Sequence, residues 1–132
     1  PIHVFNDVHA MLAFIGAGRL DRAAAHLSML EAIASGSGRH ARMLHRLGVP
    51  VSRALLAFGQ GQWAGAARGL ERAMPNEQLM TGSRAQRDVL VMTLIEATLR
   101  AGERHGAARL LRPRATAKPS SARIERDLAR CC

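Results

Sequence analysis

The chain has 132 residues, which is the size of one domain and enough to bury a modest core. Apolar residues make up 48% of it, which excludes global disorder, and aromatic residues only 3%, so the core must consist of alanine and aliphatic side chains. The net charge is +9, but 18 of the 19 basic residues are arginine, a skew that is typical of a GC-rich genome and weakens the case for a nucleic-acid partner.

Apolar residues recur at spacings of three and four along most of the chain, which is typical of helices that bury one face. Asn6 or Asp7 is positioned to cap the first helix, and Ser83 with Gln86 matches a capping box at the start of the longest one. The predicted helices lie near residues 8–15, 20–30, 39–47, 50–58, 63–74, 84–101, 104–112 and 122–130. Loops are expected at residues 35–38, 75–82 and 115–121.

Two helix ends are predicted from proline. Gly48 is expected to end a basic helix, because Val49 precedes Pro50 and a residue before proline favours an extended conformation. Pro50 itself suits the first turn of the following helix, since proline lacks the amide hydrogen that this position leaves unbonded. Pro113 is expected to stop the helix that begins near Arg104.

Three segments of the chain align with one another: GRLDRAAAHL from Gly18, GQWAGAARGL from Gly61 and GERHGAARLL from Gly102. Each glycine is followed by alanine at the fifth and sixth positions and by leucine at the ninth, and the glycines are 43 and 41 residues apart. A glycine that ends one helix, followed by a second helix that packs back through alanine, predicts a helical hairpin. We expect such hairpins to stack, because a lone hairpin leaves apolar faces uncovered.

The predicted fold is therefore all-α, a stack of antiparallel helical hairpins forming a tetratricopeptide-like α-solenoid of about six to seven helices. The stack is expected over residues 1–114, and residues 115–132 are expected to form a basic C-terminal linker and a weak helix. The three hairpins are predicted at about residues 5–35, 39–75 and 83–113.

The stretch FIGAGRL, residues 14–20, also suggests the start of a dinucleotide-binding loop. That fingerprint needs a strand before its first glycine and a third glycine at position 21, which is Asp21. The pattern before Gly16 is helical. We therefore interpret Gly18 as a hairpin corner and predict no dinucleotide site.

The aligned segments resemble the tetratricopeptide repeat, in which the glycine is followed by a large apolar residue at the second position, alanine at the fifth and a large apolar residue at the ninth. Leu20 and Trp63 fit the second position and Arg104 departs from it. Of the residues seven positions before each glycine, only Ala54 has the small side chain of the repeat, and the spacing exceeds the usual length of about 34 residues. At its position Trp63 is expected to pack between helices.

Longer stretches are similar to the C-terminal part of the tetratricopeptide repeat protein 38 family: VHAMLAFIGAGRLDRA, GVPVSRALLAFGQGQWAGA and GSRAQRDVLVMTLIEATLRAG. The Ala-Gln-Arg-Asp element at residues 85–88 is the most specific of them, and the resemblance covers nearly the whole chain. It implies the helical-repeat fold and a longer natural protein. It implies no reaction, since the family has no established one.

Catalytic and metal sites are not predicted. The six histidines include no pair at H-x-x-x-H spacing on a shared helix, and His40 and His45 are five residues apart. Ser83 is explained as a helix cap, and no nucleophile stands near His9, which could act as a base beside Asp7. The sequence therefore predicts no cofactor, no metal ion and no enzymatic activity.

The main functional hypothesis is a non-enzymatic module that binds a peptide or helix of a protein partner on the concave face of the stack. Polar residues of the first helices would select the partner, and the candidates are Asp7, His9, Arg53, Arg87 and Asp88. The cluster at residues 86–88 also has a structural interpretation. In it Gln86 completes the capping box, Asp88 complements the positive end of the helix, and Arg87 pairs with an acid on a neighbouring hairpin.

Nucleic acid or another polyanion is the alternative partner. Residues 100–130 carry a local charge of +6, and no acidic residue interrupts a second basic patch. That patch consists of Arg39, Arg42, Arg46 and Arg53. Because no aromatic residue alternates with these arginines and no nucleic-acid-binding motif occurs, a solvated basic surface is the other interpretation. Self-association through an apolar end of the stack, and chemistry located upstream in a longer enzyme or scaffold, are further alternatives.

Segments that anchor or export proteins are not predicted. No apolar run reaches the roughly 18 residues of a membrane span, and residues 1–3 do not begin a signal peptide. The only cysteines, Cys131 and Cys132, are adjacent and cannot cross-link the fold. We therefore expect a cytoplasmic protein that makes no membrane contact. Because position 1 is proline, we also expect the natural protein to continue upstream.

Overall fold

The computed structural model describes residues 4–79 and 83–132, and of residues 77–79 the backbone alone. The elements in chain order are α1 (Val4–Gly16), α2 (Leu20–Ala34), α3 (Arg39–Met43), a π-helical turn (Leu44–Gly48), α4 (Val49–Gly59), α5 (Trp63–Ala73), a 3-10 helix (Met74–Leu79), α6 (Arg84–Arg100), α7 (Arg104–Ala117) and α8 (Ala122–Ala129). No strand occurs in these two ranges, and the predicted all-α class is confirmed. None of the described helices combines the length and the apolarity that crossing a bilayer requires.

Three corners of the chain share one backbone geometry. Gly18, Gly61 and Gly102 have φ of 71°, 76° and 78°, a region in which any other L-residue is strained. At each corner the glycine amide donates to the carbonyl three residues back, and the next amide donates to the carbonyl five residues back, over 2.8 to 3.1 Å. This pair of bonds is a Schellman motif, which satisfies the carbonyls at a helix end. The prediction of three equivalent corners is confirmed.

The second helix of each hairpin buries the same positions. Its alanine at the fifth position after the corner glycine is fully buried, and its leucine at the ninth position is buried as well. These residues are Ala23, Ala66, Ala107, Leu27, Leu70 and Leu111. Alanine at the sixth position is buried in α5 and α7, but Ala24 in α2 is exposed. Burial at the fifth position is thus common to all three hairpins, and a small side chain there leaves room for the paired helix.

The helices pack as pairs and the pairs contact one another. α1 packs on α2, α4 on α5, and α6 on α7, while α4 also packs on α1 and α2, α6 on α5, and α8 on α7. One apolar cluster extends through α1, α2, α4 and α5 and receives Leu90, Leu94 and Ala97 from α6. A smaller cluster around Ile95 and Leu111 joins α6, α7 and α8. The core thus continues from one pair to the next.

The prediction that Gly48 ends a helix is wrong. Gly48 and Val49 both have helical φ and ψ, so α3, the π-helical turn and α4 form one continuous segment of residues 39–59. In an α-helix the ring of Pro50 would collide with the carbonyl four residues earlier, and the wider π turn directly before it relieves that collision. A Cβ at Gly48 would lie 2.6 Å from Leu44 Cδ2, so a larger residue there would force this buried leucine to move.

The start of α1 also differs from the prediction. The helix is already formed at Val4, so Asn6 and Asp7 lie in its first turn and neither caps it. Asp7 is buried there instead of facing solvent. As predicted, the residues that lead into Gly16 are helical, which excludes a dinucleotide-binding loop at residues 14–20.

The capping box before α6 is confirmed. The Ser83 hydroxyl accepts a bond of 3.2 Å from the Gln86 amide, and the Gln86 side-chain oxygen accepts one of 2.9 Å from the Ser83 amide. Of the loop predicted over residues 75–82, the first five residues belong to the 3-10 helix Met74–Leu79, and residues 80–82 lie outside the described ranges.

Pro113 does not stop α7, and that prediction is wrong. The helix continues to Ala117, so the predicted linker at residues 115–121 is reduced to its last four positions. Proline removes one amide hydrogen bond and crowds the carbonyl four residues earlier, but tertiary contacts fix the turn beyond it. Arg114 binds a carboxylate of α6, and Ala115 packs in the smaller cluster.

An ion-pair network attaches α8 to α6. Glu96 on α6 accepts bonds from Arg130 over 2.8 Å and from Arg100 over 2.7 Å, and Arg130 also lies 3.3 Å from Asp127. The hydrogen bond from Arg130, followed by that from Arg100, lowers the pKa of Glu96 from 4.5 to about 2. Burial of the carboxyl acts in the opposite direction.

We expect Glu96→Gln to lower the free energy of unfolding by about 1 kcal/mol at neutral pH, since the pair is partly solvated. The lowered pKa means that the folded state binds the proton less tightly than the unfolded state. The contribution is therefore complete above about pH 4.5 and is lost as the pH falls toward about 2. Urea unfolding of the wild type and of Glu96→Gln across this pH range measures the contribution of the ion pair. Glu125→Gln, on the exposed side of α8, is the matched control. If the difference in unfolding free energy between the wild type and Glu96→Gln does not change with pH, the ion pair of Glu96 does not stabilise the fold as described.

Candidate functional site

Asp7 and His9 do not lie on a common surface. Asp7 is 8% exposed, and its Oδ1 lies 3.6 Å from Nε2 of His26 on α2. Burial raises the pKa of Asp7, and the charges of His26 and His40 oppose this effect. His9 lies with Nδ1 3.0 Å from the carbonyl of Phe5, and the centroids of the two rings are 4.1 Å apart with the planes tilted by 38°. The two residues thus make contacts within the hairpin.

The surroundings of Asp7 form a polar cluster that the sequence did not predict. Asp7 Oδ2, His26 Nε2 and His40 Nε2 are buried polar atoms without a hydrogen-bond partner. They come from α1, α2 and α3, so only the tertiary fold brings them together. Within the described ranges, no group of three or more histidine, cysteine, aspartate and glutamate side chains is arranged to hold a metal ion.

Asp88 and Arg87 have different surroundings although they are adjacent. Asp88 forms a bidentate pair with Arg114 of α7, in which both bonds measure 2.7 Å. The hydrogen bond from Arg114 lowers the pKa of Asp88, and the same bond raises the pKa of Arg114. Arg87 is half-buried and forms no ion pair with the carboxylates that the structure describes. Asp88 therefore joins the two helices of its hairpin, beside a cavity of about 480 Å³ that also reaches α8.

The four arginines of the basic patch all lie on the continuous segment of residues 39–59. Arg39, Arg42 and Arg46 are exposed. Arg53 is also exposed, but it is held by Glu31 of α2, with Nη2 and Nε at 2.8 and 2.9 Å from the carboxylate oxygen. The fold thus brings an acidic residue to a patch that has none in its own stretch of sequence.

A groove of about 450 Å³ lies between α4 and α5. Arg46 and Arg53 line it from one side and Arg72 from the other, and all three side chains are exposed. Its remaining lining consists of proline and small residues: Pro50, Ala54, Ala57, Gly65, Gly69 and Ala73. We name this site the arginine groove.

Sequence reasoning missed Arg72 because it stands on another helix than the basic patch. The signal that could have revealed the groove is the pair Gly65 and Gly69, which are four residues apart and so remove the side chains from one strip of α5. At Gly69 an added Cβ would lie 2.8 Å from the Cβ of Ala54, whereas at Gly65 nothing lies within 4 Å. One glycine permits helix contact and the other leaves the groove open.

These two glycines should respond in opposite ways to alanine. We expect Gly69→Ala to lower the free energy of unfolding by about 1 kcal/mol, because α4 and α5 must separate to admit the methyl group. We expect Gly65→Ala on the same helix to raise it by about 0.5 kcal/mol through helix propensity alone. Urea unfolding followed by circular dichroism distinguishes the two. Equal gains in stability would show that α4 and α5 do not depend on the close contact at Gly69.

The arginine groove presents guanidinium groups, which are suited to anions. A guanidinium group offers up to five donors in a planar fork that matches a carboxylate or a phosphate, and small lining residues let a main chain approach. No protein-family model matches the chain, and a search of solved structures finds no significant match either. The resemblance to tetratricopeptide proteins thus stays a prediction.

Proposed function

We propose that the chain is a non-enzymatic helical-repeat module that binds a peptide or helix of a protein partner. The observation that carries this proposal is the equivalence of the corners at Gly18, Gly61 and Gly102, each followed by a buried alanine and leucine. Hairpins repeated in this way stack into a solenoid, and the main use of such a solenoid is its extended open surface. On this basis the hairpins are tetratricopeptide-like.

Contacts between successive hairpins support the solenoid arrangement. Leu20, at the second position after the first corner, packs on Gly59, where a Cβ would lie 2.7 Å from its Cδ2. Trp63, at the same position after the second corner, lies under Arg100, whose guanidinium carbon is 4.7 Å from the ring centroid. Gly59 and Arg100 both stand two residues before a corner glycine. The two contacts are therefore equivalent and relate each hairpin to the next by a similar step.

The position of α8 fits the same arrangement. α8 packs on α7, as α4 packs on α2 and α6 on α5. Arg104, at the second position after the third corner, donates over 3.5 Å to a backbone carbonyl just beyond the end of α8. α8 thus takes the place of the first helix of a further hairpin. It covers the third hairpin with Ile124 and keeps Arg123, Glu125 and Arg126 exposed, whereas Asp127 is buried.

The cytoplasm is the compartment that we assign to this module. Cys131 and Cys132 are both free thiols, which fits a reducing environment. The expected partner is a protein rather than a lipid surface.

Selection of a displayed peptide library against the purified chain tests the proposal. We expect families of related peptides to be enriched and to bind with dissociation constants of about 1–100 μM, whereas scrambled versions of the same peptides should not bind. Titration calorimetry measures the binding of the enriched peptides and of their scrambled versions. If selection enriches no related peptides, the proposed function is wrong.

A second candidate, binding of nucleic acid or another polyanion, is favoured by one observation. Arg39, Arg42 and Arg46 are exposed along one helical segment. Binding of single-stranded RNA that weakens steeply with salt, and that Arg39→Gln/Arg42→Gln abolishes, would support it. Peptide binding that survives Arg39→Gln/Arg42→Gln would favour the first candidate.

A further inference from the structure

We propose that the arginine groove binds an acidic, extended segment of the partner protein, an inference that rests on the proposed function. Three observations carry it: the concave shape between α4 and α5, the small residues that line it, and the three arginines around it. At about 450 Å³ the groove has the volume of a small-ligand cleft, which suits a few residues of a peptide.

The lining favours an extended main chain. At Gly65 nothing lies within 4 Å of an added Cβ, so this part of α5 presents bare backbone to the groove. Ala54 and Ala57 on α4 add only methyl groups. Apart from the three arginines, the lining has no large side chain, so a narrow segment with small residues can approach it closely.

The charges select an acidic segment. Arg46 and Arg72 line the groove from different helical elements, and neither lies within ion-pair distance of a carboxylate that the structure describes. Arg53 is held by Glu31 through Nε and Nη2, which leaves its other donors for a ligand. A guanidinium that is already fixed in position loses less side-chain entropy when it binds a carboxylate.

A peptide fits this site better than a nucleic acid does. No aromatic residue belongs to the lining, so bases would have no surface on which to stack. Arg39 and Arg42 continue the positive surface along the same helical segment beyond the groove. A partner segment with two or more carboxylates separated by small residues would match this pattern.

Fluorescence anisotropy with a labelled peptide tests the inference. The probe has about 12 residues and alternates aspartate or glutamate with glycine and alanine, and its counterpart replaces the acids by asparagine and glutamine. We expect the acidic peptide to bind the intact chain at least about 10-fold more tightly than its counterpart. We also expect amide chemical-shift changes in NMR spectra to be confined mainly to α4 and α5.

Two variants and one control distinguish binding in the groove from attraction to the overall positive charge of the protein. Arg46→Gln/Arg72→Gln should weaken acidic-peptide binding by about 10-fold, while the matched pair Arg112→Gln/Arg126→Gln, exposed on α7 and α8, should change it by less than about twofold. Gly65→Leu fills open space without altering charge, so it should abolish binding and leave the circular dichroism spectrum unchanged.

The outcomes distinguish this inference from the proposed function. If the two double-arginine variants lose peptide binding equally, the peptide is attracted non-specifically to the basic surface, and the inference is wrong. Unchanged peptide binding in Gly65→Leu would overturn it as well. Tighter binding of single-stranded RNA than of the acidic peptide, with loss in Arg46→Gln/Arg72→Gln, would overturn it too. If the library selection enriches only peptides that are not acidic, the module function stands and the assignment of the groove is wrong.

Discussion

Leu70→Ala is expected to lower the free energy of unfolding by about 2–5 kcal/mol, a larger effect than either glycine substitution in α5 should have. Leu70 is fully buried at the ninth position after the second corner, in the cluster that joins α4 and α5 to their neighbours. Truncation removes apolar contacts and leaves a cavity, which helices already packed through alanine and glycine cannot close. Because a domain of this size is stable by only about 5–15 kcal/mol, a large fraction of the total is at stake.

Urea unfolding of the wild type and the variant measures this change, and Met29→Ala serves as the control. Met29 on α2 is 47% exposed, so its truncation should alter stability by no more than about 0.5 kcal/mol. Similar losses in the two variants would mean that the ninth position of the repeat is not a core position.

Ala23→Leu is expected to lower the free energy of unfolding by about 1–3 kcal/mol, although leucine is more apolar than alanine. Ala23 is fully buried at the fifth position after the first corner, where α2 packs on α1. Three additional carbon atoms must separate the two helices or adopt a strained rotamer. The same substitution at the neighbouring Ala24, which is exposed, should have an effect within about 0.5 kcal/mol.

Thermal unfolding of these two variants compares adjacent positions of one helix. Because the substitution is identical, differences in helix propensity cancel between them. Destabilisation by Ala24→Leu and tolerance of Ala23→Leu would contradict the packing assigned to the hairpin.

The parts of the fold that follow from local chemistry could be predicted from sequence. Gly18, Gly61 and Gly102 fix their corners because glycine alone adopts positive φ without strain. Ser83 and Gln86 form their capping box because both partners lie within one helical turn. In each case the residues that decide the geometry are close together in the chain.

The errors occur where distant contacts outweigh a local preference. Pro50 and Pro113 both predicted helix ends, yet the helix continues through both. At Pro50 a π turn accommodates the ring, and packing of the segment on α1 and α2 keeps it helical. At Pro113 the bond between Arg114 and Asp88 holds the next turn in place.

The candidate site could be predicted only in part. The basic residues Arg46 and Arg53 are visible as a run in the sequence, but Arg72 joins them only through the packing of α4 on α5. Likewise Asp7 meets His26 across the first hairpin rather than His9 on its own helix. Contacts between helices depend on rotation and register, which periodicity alone does not determine.

The unbroken segment of residues 39–59 has a mechanical consequence. At 1.5 Å per residue it is a strut roughly 30 Å long, anchored on α1 and α2 near its middle and on α5 toward its far end. The π turn and Pro50 near its middle are the place where such a segment can bend, because both interrupt the regular hydrogen bonding of the helix. Arg46 lies in that turn, so bending there would change its distance from Arg72 on α5.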